Sequence, residues 1–406
     1  MDASSTYKKP TPQKLTGAQQ DHRVVVGLSG GIHGAVVAAL LKAQGREVHG
    51  VHLTLRSDSD SFPSGCTQDS QARAEKAAAD AKRLGISFTV VDATDRFTSA
   101  VEDPFLQDRL NGRYSNPCFR CHTQFKIGGL LNEAQKLKIN RVATGHRVAL
   151  RKDQLSGQYH LFRSATSETD DSRFLVGLSQ SELTHLEFPL GEVPASVVQK
   201  IAIEIDESWA VPSQKFEVCF NNKQNGSAYM SRLLPAYFKN PGLIRVGGGG
   251  SAIGEHRGFW QYSYGCKVSP DSQNLTQDKS DWVIAHYDST QNTFAVIPRG
   301  DWLSRRWLLS DFHGVAPLNQ LVAHSVQVQL ISAPQHWPER PQTIEANLLC
   351  LDAGRLLLEF QQAVPLLIGE TLVFEKEQEL FGMARVFSQL DRQKTSSSQQ
   401  DSWGTL

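Results

Sequence analysis

The sequence predicts an α/β protein with three parts: an N-terminal domain on a parallel, Rossmann-like sheet, a small middle domain and a C-terminal β-barrel. Three observations predict this. Short apolar runs alternate with helix-like runs from Val24 to about residue 190, a Gly- and Asn-rich region begins near Val211, and short strand-like runs separated by turns fill the chain from Asp281 onward. A chain of 406 residues with 40% hydrophobic and 21% charged residues is long enough for two or three cores.

VVVGL, from Val24, reads as a buried parallel strand, because an unbroken β-branched run suits a strand covered on both faces. The helix AVVAALLKAQ follows from Ala35, then the strand EVHGVHL from Glu47, the helix SQARAEKAAADAKRLG from Ser70 and the strand SFTVVDA from Ser87. Strand, helix, strand in short succession means βαβ units. RVATGH, Arg141 to His146, precedes a hairpin-like stretch, and helical patterning returns through Ile205. The middle region carries one helix and several turns. WVIAHYD, NTFAVIPR, SVQVQLI, IEANLLCLD, RLLLEFQQ and TLVFEKEQELFGMARV then read as the strands of a small closed barrel. The expected boundaries are a disordered tail over 1–22, the α/β domain over 23–210, the middle domain over 211–275, the barrel over 276–387 and a second polar tail over 388–406.

Lys plus Arg and Asp plus Glu balance at 42 each, which excludes a generally basic nucleic-acid coat but not a local basic cleft. No apolar run approaches the ~18 to 20 residues of a spanning helix, and MDASSTYKKPTPQKLTGAQQ lacks the apolar core of a signal peptide. A cytoplasmic protein without a membrane partner is expected. Six cysteines, Cys66, Cys118, Cys121, Cys219, Cys266 and Cys350, are too sparse for a disulfide scaffold, and a reducing compartment makes them candidates for chemistry or metal binding.

Val24 to Gly31, VVVGLSGG, runs from the first strand directly into a helix expected from about Gly34. Glycines there let the backbone approach a phosphate, and the helix's unpaired amides supply the attraction. A plain tight βα turn is the alternative. Neither the Walker lysine pattern nor GxGxxG is present.

Asn116-Pro117-Cys118-Phe119-Arg120-Cys121-His122 is the sharpest chemical feature. CxxCH is also a haem attachment pattern, but that requires export. A structural zinc site needs four ligands, and no second CxxC or HxxxH completes one. A redox pair of the thioredoxin kind opens a helix after the first strand, which this position does not match. Two cysteines packing a loop remain the plain alternative.

VVVGLSGGIHGAVVAALLKAQGREVHGVHL resembles the PP-loop of the N-type ATP pyrophosphatases, whose usual form is SGGxDS. The rest of the chain is similar to one group of them, the bacterial tRNA-specific 2-thiouridylase (MnmA) family. The matching segments keep the family's order: GCTQDSQARAEKAAADAKRLGISFTVVD, SNPCFRCHTQFKIGGLL, ATGHRVAL, DDSRFLVGLSQSELTHLEFPLGE, EVCF and GEHRGFWQYSYG. The likeness covers approximately Val24 to Val386.

The resemblance implies a tRNA sulfurtransferase that acts on the wobble uridine with ATP and Mg2+. It implies a sulfur-donor protein as partner, and a monomer. It places the nucleotide on Gly27, Leu28, Ser29, Gly30, Gly31, Ile32, His33, Gly34, Leu53 and Gly145, and tRNA on Asn116, Pro117, Cys118 and His146. Cys219 would receive sulfane sulfur and Cys121 would be the nucleophile, the two ending as a disulfide; helix amides, Arg120 and Lys126 would favour the thiolate. In a second version of the chemistry Cys118, Cys121 and Cys219 hold a 4Fe-4S cluster. Arg113, Tyr114, Arg120, Phe125 and Lys126 are candidates for holding an anticodon loop, with plain surface charge as the alternative. Cys66, Cys266 and Cys350 are expected to be structural.

The sequence departs from the family pattern at three places. SGGxDS becomes Ser29-Gly30-Gly31-Ile32-His33-Gly34, replacing a hard oxygen ligand with an imidazole that could meet phosphate as a cation. KDQSYFL becomes Thr169-Asp170-Asp171-Ser172-Arg173-Phe174-Leu175, which removes a lysine and adds a carboxylate near RNA. The barrel segment VQVQLISA also lacks the usual positive charge. These changes keep a second reading open: a relative that retains the fold and the cysteine set without ATP-dependent tRNA thiolation.

Overall fold

The computed structural model describes residues 22–55, 68–164, 170–210, 234, 236–247, 249–268, 281–315, 318, 325–330, 337–352 and 355–390. The chain divides into two compact units, 1–102 with 118–229, and 103–117 with 230–406. Both terminal tails from 1 to 21 and from 391 on, and most of the segment from 211 to 235, lie outside the described residues.

The first unit is built on a five-stranded parallel sheet in the order Ser87–Asp92, Glu47–Thr54, Arg23–Gly27, Val142–Ala143, Leu186–Glu187. Arg23–Gly27 is its centre, and Val24, Val25 and Val26 are fully buried, as a strand covered on both faces requires. Val24 and Val26 join Val36, Val37 and Leu41 of the helix Ile32–Ala43, Ala77 and Ala81 of Gln68–Leu84, and Val198 and Ala202 of Ala195–Ile205 in one core. Gly27 faces the opposite side, where a methyl group would lie 2.8 Å from Leu130 Cδ1 of the helix Gly128–Lys136.

This order reverses direction between Arg23–Gly27 and Val142–Ala143. In open α/β sheets the crevice beyond the carboxyl ends of two such strands is where ligands bind. The two turns that leave these strands are Leu28–Gly31 and Thr144–His146, both motif segments of the sequence. The hairpin expected after His146 pairs Ala149–Lys152 with Tyr159–Phe162.

The second unit holds two sheets. One runs Lys267–Val268, Trp282–Asp288, Thr293–Pro298, Gly242–Val246, Ala252–His256, around Ile244, Phe259, Ile284, Phe294 and Val296. The other is a closed antiparallel barrel of six strands, Ser304–Gly314, Arg355–Val364, Thr343–Asp352, Ser325–Leu330, Thr371–Lys376 and Glu379–Gln389, the last pairing back to the first. Closure leaves it no free edge.

The barrel forms as expected, but two of its expected strands belong elsewhere. WVIAHYD and NTFAVIPR pair with each other and, through Thr293–Pro298, run parallel to Gly242–Val246. Alternation marks a strand without naming its partner. SRRWLLSDFHG takes the vacant place, its charged start hiding a strand whose Trp307 and Leu309 are fully buried. The last strand also runs to Gln389, past Phe387.

The barrel's buried ion pair sets a stability test. Arg340 donates two hydrogen bonds to the Glu370 carboxylate, at 2.7 and 2.9 Å, with 3% and 0% of the side chains exposed. Removing one partner leaves a buried charge uncompensated. Arg340→Leu is expected to cost about 3–5 kcal/mol in chemical denaturation. The double variant Arg340→Leu, Glu370→Leu is expected to cost less than the single one.

Candidate functional site

The first unit brings three sequence-marked segments together at the crevice. The turn after Arg23–Gly27 is pinned to the neighbouring strand, since Leu28 N donates to Val51 O at 2.8 Å and Leu28 O accepts from His52 Nδ1 at 2.7 Å. Gly30 has φ +73°, and a methyl group on it would lie 2.6 Å from Arg73 O, so the position admits glycine alone. The helix begins at Ile32, earlier than expected, with Gly31 as its cap. Gly31 has no side chain to accept from the first-turn amides, which suits an anion. His33 and Gly34 thus stand in the helix's first turn. Leu53 lies on the adjacent strand, and a methyl group at Gly129 would lie 2.7 Å from its Cδ1.

The second segment, Thr144-Gly145-His146, closes onto that first turn. A methyl group on Gly145 would lie 2.5 Å from His33 Cβ and 2.9 Å from its carbonyl carbon. Gly34 is equally constrained, since a methyl group there would lie 2.6 Å from Gly27 O. Burial, helped by the positive charge of Arg147, lowers the His33 pKa. Burial and Arg147 thus oppose the positive charge with which His33 would meet phosphate.

The third segment is the helical run from Cys118 to Lys136, whose middle, Cys121–Ile127, winds as a π-helix. Such segments are rare and often sit at functional sites. Cys121 is buried and Cys118 half-buried, while Asn116 and Pro117 directly precede them in the chain. Past Cys121, Lys126 Nζ lies 3.1 Å from His122 Nε2, His122 Nδ1 lies 2.9 Å from His146 Nε2, and His146 Nδ1 lies 2.7 Å from Thr144 Oγ1. Phe174 packs beside the His122 ring at 4.9 Å between centroids, and Phe188 beside His146 at 6.2 Å. Burial, then Lys126 and His33, push the His146 pKa down to about 3; burial, then Lys126, His146 and Arg173, hold His122 well below the usual range.

Asp171 turns inward, accepting from Arg147 N at 3.1 Å, and burial raises its pKa. It is thus engaged by the protein's own backbone, which softens the expected repulsion of RNA. Thr169 lies outside the described residues, as does Cys219. The cysteine partnership and the third thiolate of a cluster therefore have no described geometry. Among the described residues, no group of three or more His, Cys, Asp or Glu side chains stands at metal-binding distances.

Of the proposed anticodon-loop residues, Phe125 is a core residue, 1% exposed and edge-on to Phe97 at 5.2 Å, so it offers no face to a base. Lys126 is turned to His122, and Tyr114 is fixed in the second unit by its amide donating to Ile368 O. Cys266 is buried in the barrel core, where burial pushes its thiol up to about 12, as a structural cysteine should be. Cys350 is instead exposed, between the exposed Leu349 and Leu351 near the end of Thr343–Asp352, and Cys66 lies outside the described residues. His122 is the residue that sequence reading missed. Its signal was present: Lys126 follows at helical i, i+4 spacing, on the same face.

Residues 22–223 match the family model described as the tRNA methyl transferase HUP domain. Over 85% of this chain and 87% of the relative, the sequence is 30% identical to the tRNA-specific 2-thiouridylase MnmA of Deinococcus radiodurans. It is 34% identical to that of Brucella suis, over 77% of each chain. Among solved structures, the U34-tRNA thiolase NcsA of Methanococcus maripaludis with its 4Fe-4S cluster covers 52% of this chain and 72% of its own, at 17% identity and a TM-score of 0.29, too distant to bear on the chemistry. Among the described residues, no helix is long and apolar enough to cross a membrane.

Two outcomes follow from the geometry. Gly34→Ser restores a hydroxyl of the SGGxDS pattern but forces its Cβ against Gly27 O. It is expected to destabilise the first unit by about 1–3 kcal/mol, measured by thermal denaturation. The second concerns pH. Unfolded, His122 and His146 take up protons near 6.5, and folded they do so only at lower pH, about 3 for His146. The stability they contribute is complete above 6.5 and lost as pH falls, by at most ~1.4 kcal/mol per unit for each ring. Tm is expected to fall between pH 7.5 and 5, and to fall less steeply in His146→Gln; parallel slopes would contradict the assignment.

Proposed function

The chain belongs to the tRNA-specific 2-thiouridylase (MnmA) family, and from this membership we propose that it replaces the 2-oxygen of a tRNA uridine with sulfur, using ATP. The observation that carries the reading is the meeting, at one sheet crevice, of the Leu28–Gly31 turn, the Thr144–His146 turn and the helix of Cys121. The helix amides from Ile32 suit the phosphates of ATP, and Gly145 closes the turn beside them. The resemblance to the family would place the target nucleotide on Asn116, Pro117, Cys118 and His146.

In this reading the uridine O2 attacks the α-phosphorus of ATP, pyrophosphate leaves, and C2 carries AMP as a leaving group. Cys219, loaded by a donor protein, holds a persulfide. The Cys121 thiolate attacks the inner sulfur and forms a disulfide with Cys219, releasing hydrosulfide. Hydrosulfide then adds to C2 and AMP departs with the original oxygen. A thiol reductant resets the pair. Mg2+ is the expected counter-ion of the ATP. Cys118 and Cys121, two of the three cysteines that would hold a 4Fe-4S cluster, share the helical run.

His33 favours the second reading. It stands where the motif has a carboxylate, and burial opposes the charge with which it would meet phosphate. A relative that has lost adenylation would keep the same turns.

Mass spectrometry of digested tRNA, from a strain whose one 2-thiouridylase is this protein, separates the two. We expect 2-thiouridine with the wild-type chain, and loss of more than about 99% of it in Cys121→Ser and in Cys219→Ser, as for other removed nucleophiles. Absence of 2-thiouridine from cells that hold the folded wild-type protein would support the second reading, and unchanged thiolation in Cys219→Ser would sink the persulfide role.

A further inference from the structure

We propose that His122 is a positioning residue for sulfur transfer, coupling the helix of Cys121 to the turn of Gly145 by a one-way chain of hydrogen bonds. The inference rests on the sulfurtransferase reading above and adds to it a role for His122, which ends the cysteine motif but has no part in the cysteine or nucleotide chemistry described so far.

The direction of the chain follows from which atoms can donate. An ammonium has donors and no acceptor, so Lys126 Nζ donates to His122 Nε2 at 3.1 Å and that nitrogen carries no proton. The imidazole's one proton is therefore on Nδ1, which donates to His146 Nε2 at 2.9 Å. By the same argument His146 carries its proton on Nδ1 and donates to Thr144 Oγ1 at 2.7 Å. Each ring is held in one tautomer, and bonds aligned in series strengthen one another.

The chain spans two elements that arrive from different parts of the fold. Lys126 and His122 lie on the π-helical segment that begins at Cys121, and Thr144 and His146 bracket Gly145, which rests on His33 in the first turn of the nucleotide-side helix. Phe174 holds the His122 ring from the side, itself braced by Phe119 at 5.5 Å. A shift of His122 is thus felt at Gly145. In the proposed reaction the sulfur approaches from the cysteine side while AMP sits over the loop, so the two segments must keep a fixed separation. Misplacement by about 1 Å costs on the order of 100-fold in rate.

Two variants and one spectrum test this. His122→Phe keeps a ring between Phe174 and His146 but neither accepts nor donates, whereas His122→Gln keeps one acceptor and one donor. With purified protein matched for folding by circular dichroism, we expect His122→Phe to lower kcat for 2-thiouridine formation by about 10–100-fold with the KM for ATP changed less than about threefold, and His122→Gln to recover most of the loss. Nitrogen-15 spectra of the histidine rings should show the Nδ1–H tautomer for both His122 and His146 in the wild type, and a mixed His146 signal in His122→Phe. A folded His122→Phe with wild-type kcat overturns the proposal, as does an Nε2–H tautomer at His146. If the wild type itself forms no 2-thiouridine, the sulfurtransferase reading fails, and the ring spectra still decide whether the chain of bonds exists.

Discussion

The missing side chain at Gly145 is the constraint on which the candidate site depends. Because nothing projects there, the turn after Val142–Ala143 closes onto His33, where a methyl group would come within 2.5 Å. The sheet order places these two turns on either side of its point of reversal, and glycine lets them touch. Gly30 and Gly34 continue the same logic on the other turn, each admitting a backbone atom, Arg73 O or Gly27 O, into the space of a Cβ. The result sets the first-turn amides of the helix from Ile32, with His33 among them, against the turn that carries His146.

Desolvation then decides what those imidazoles are. Near Arg147, Lys126 and Arg173, and with little water around them, His33, His122 and His146 all stay neutral at pH 7. They act through fixed hydrogen bonds and shape rather than charge. Positive charge in the site therefore comes from lysine, arginine and helix amides. The substitution of an acid by His33 reads accordingly as a change of packing against Gly145 more than a change of charge toward phosphate.

Much of this was legible in the sequence. The run VVVGLSGG announced the central strand and its glycine turn, because a strand buried on both faces must be uniformly apolar and a turn this tight must be glycine-rich. The barrel was legible as a class but not in its membership: Trp282–Asp288 and Thr293–Pro298 alternate as well as any barrel strand, and pairing is settled by which apolar faces meet, here Ile284, Phe294 and Val296 on Ile244 and Phe259. The start of the helix at Ile32 escaped because Gly34 reads as a breaker, although it stands where only a glycine lets the helix approach Gly27. Phe125 misled because an aromatic beside basic residues suits RNA in sequence, while its contact with Phe97 is decided in three dimensions. The spacing of His122 and Lys126 was legible, but the link from His122 to His146 stayed hidden because the two are 24 residues apart.

The central claim is that one crevice joins nucleotide chemistry to cysteine chemistry, so the two products must form together. The most direct measurement is the ratio of AMP released to 2-thiouridine formed, with purified protein, ATP, unmodified tRNA and a persulfide donor. The account predicts AMP and 2-thiouridine in equal amounts, both abolished when ATP is withheld. AMP release without thiolation, or neither product from folded protein, would contradict it.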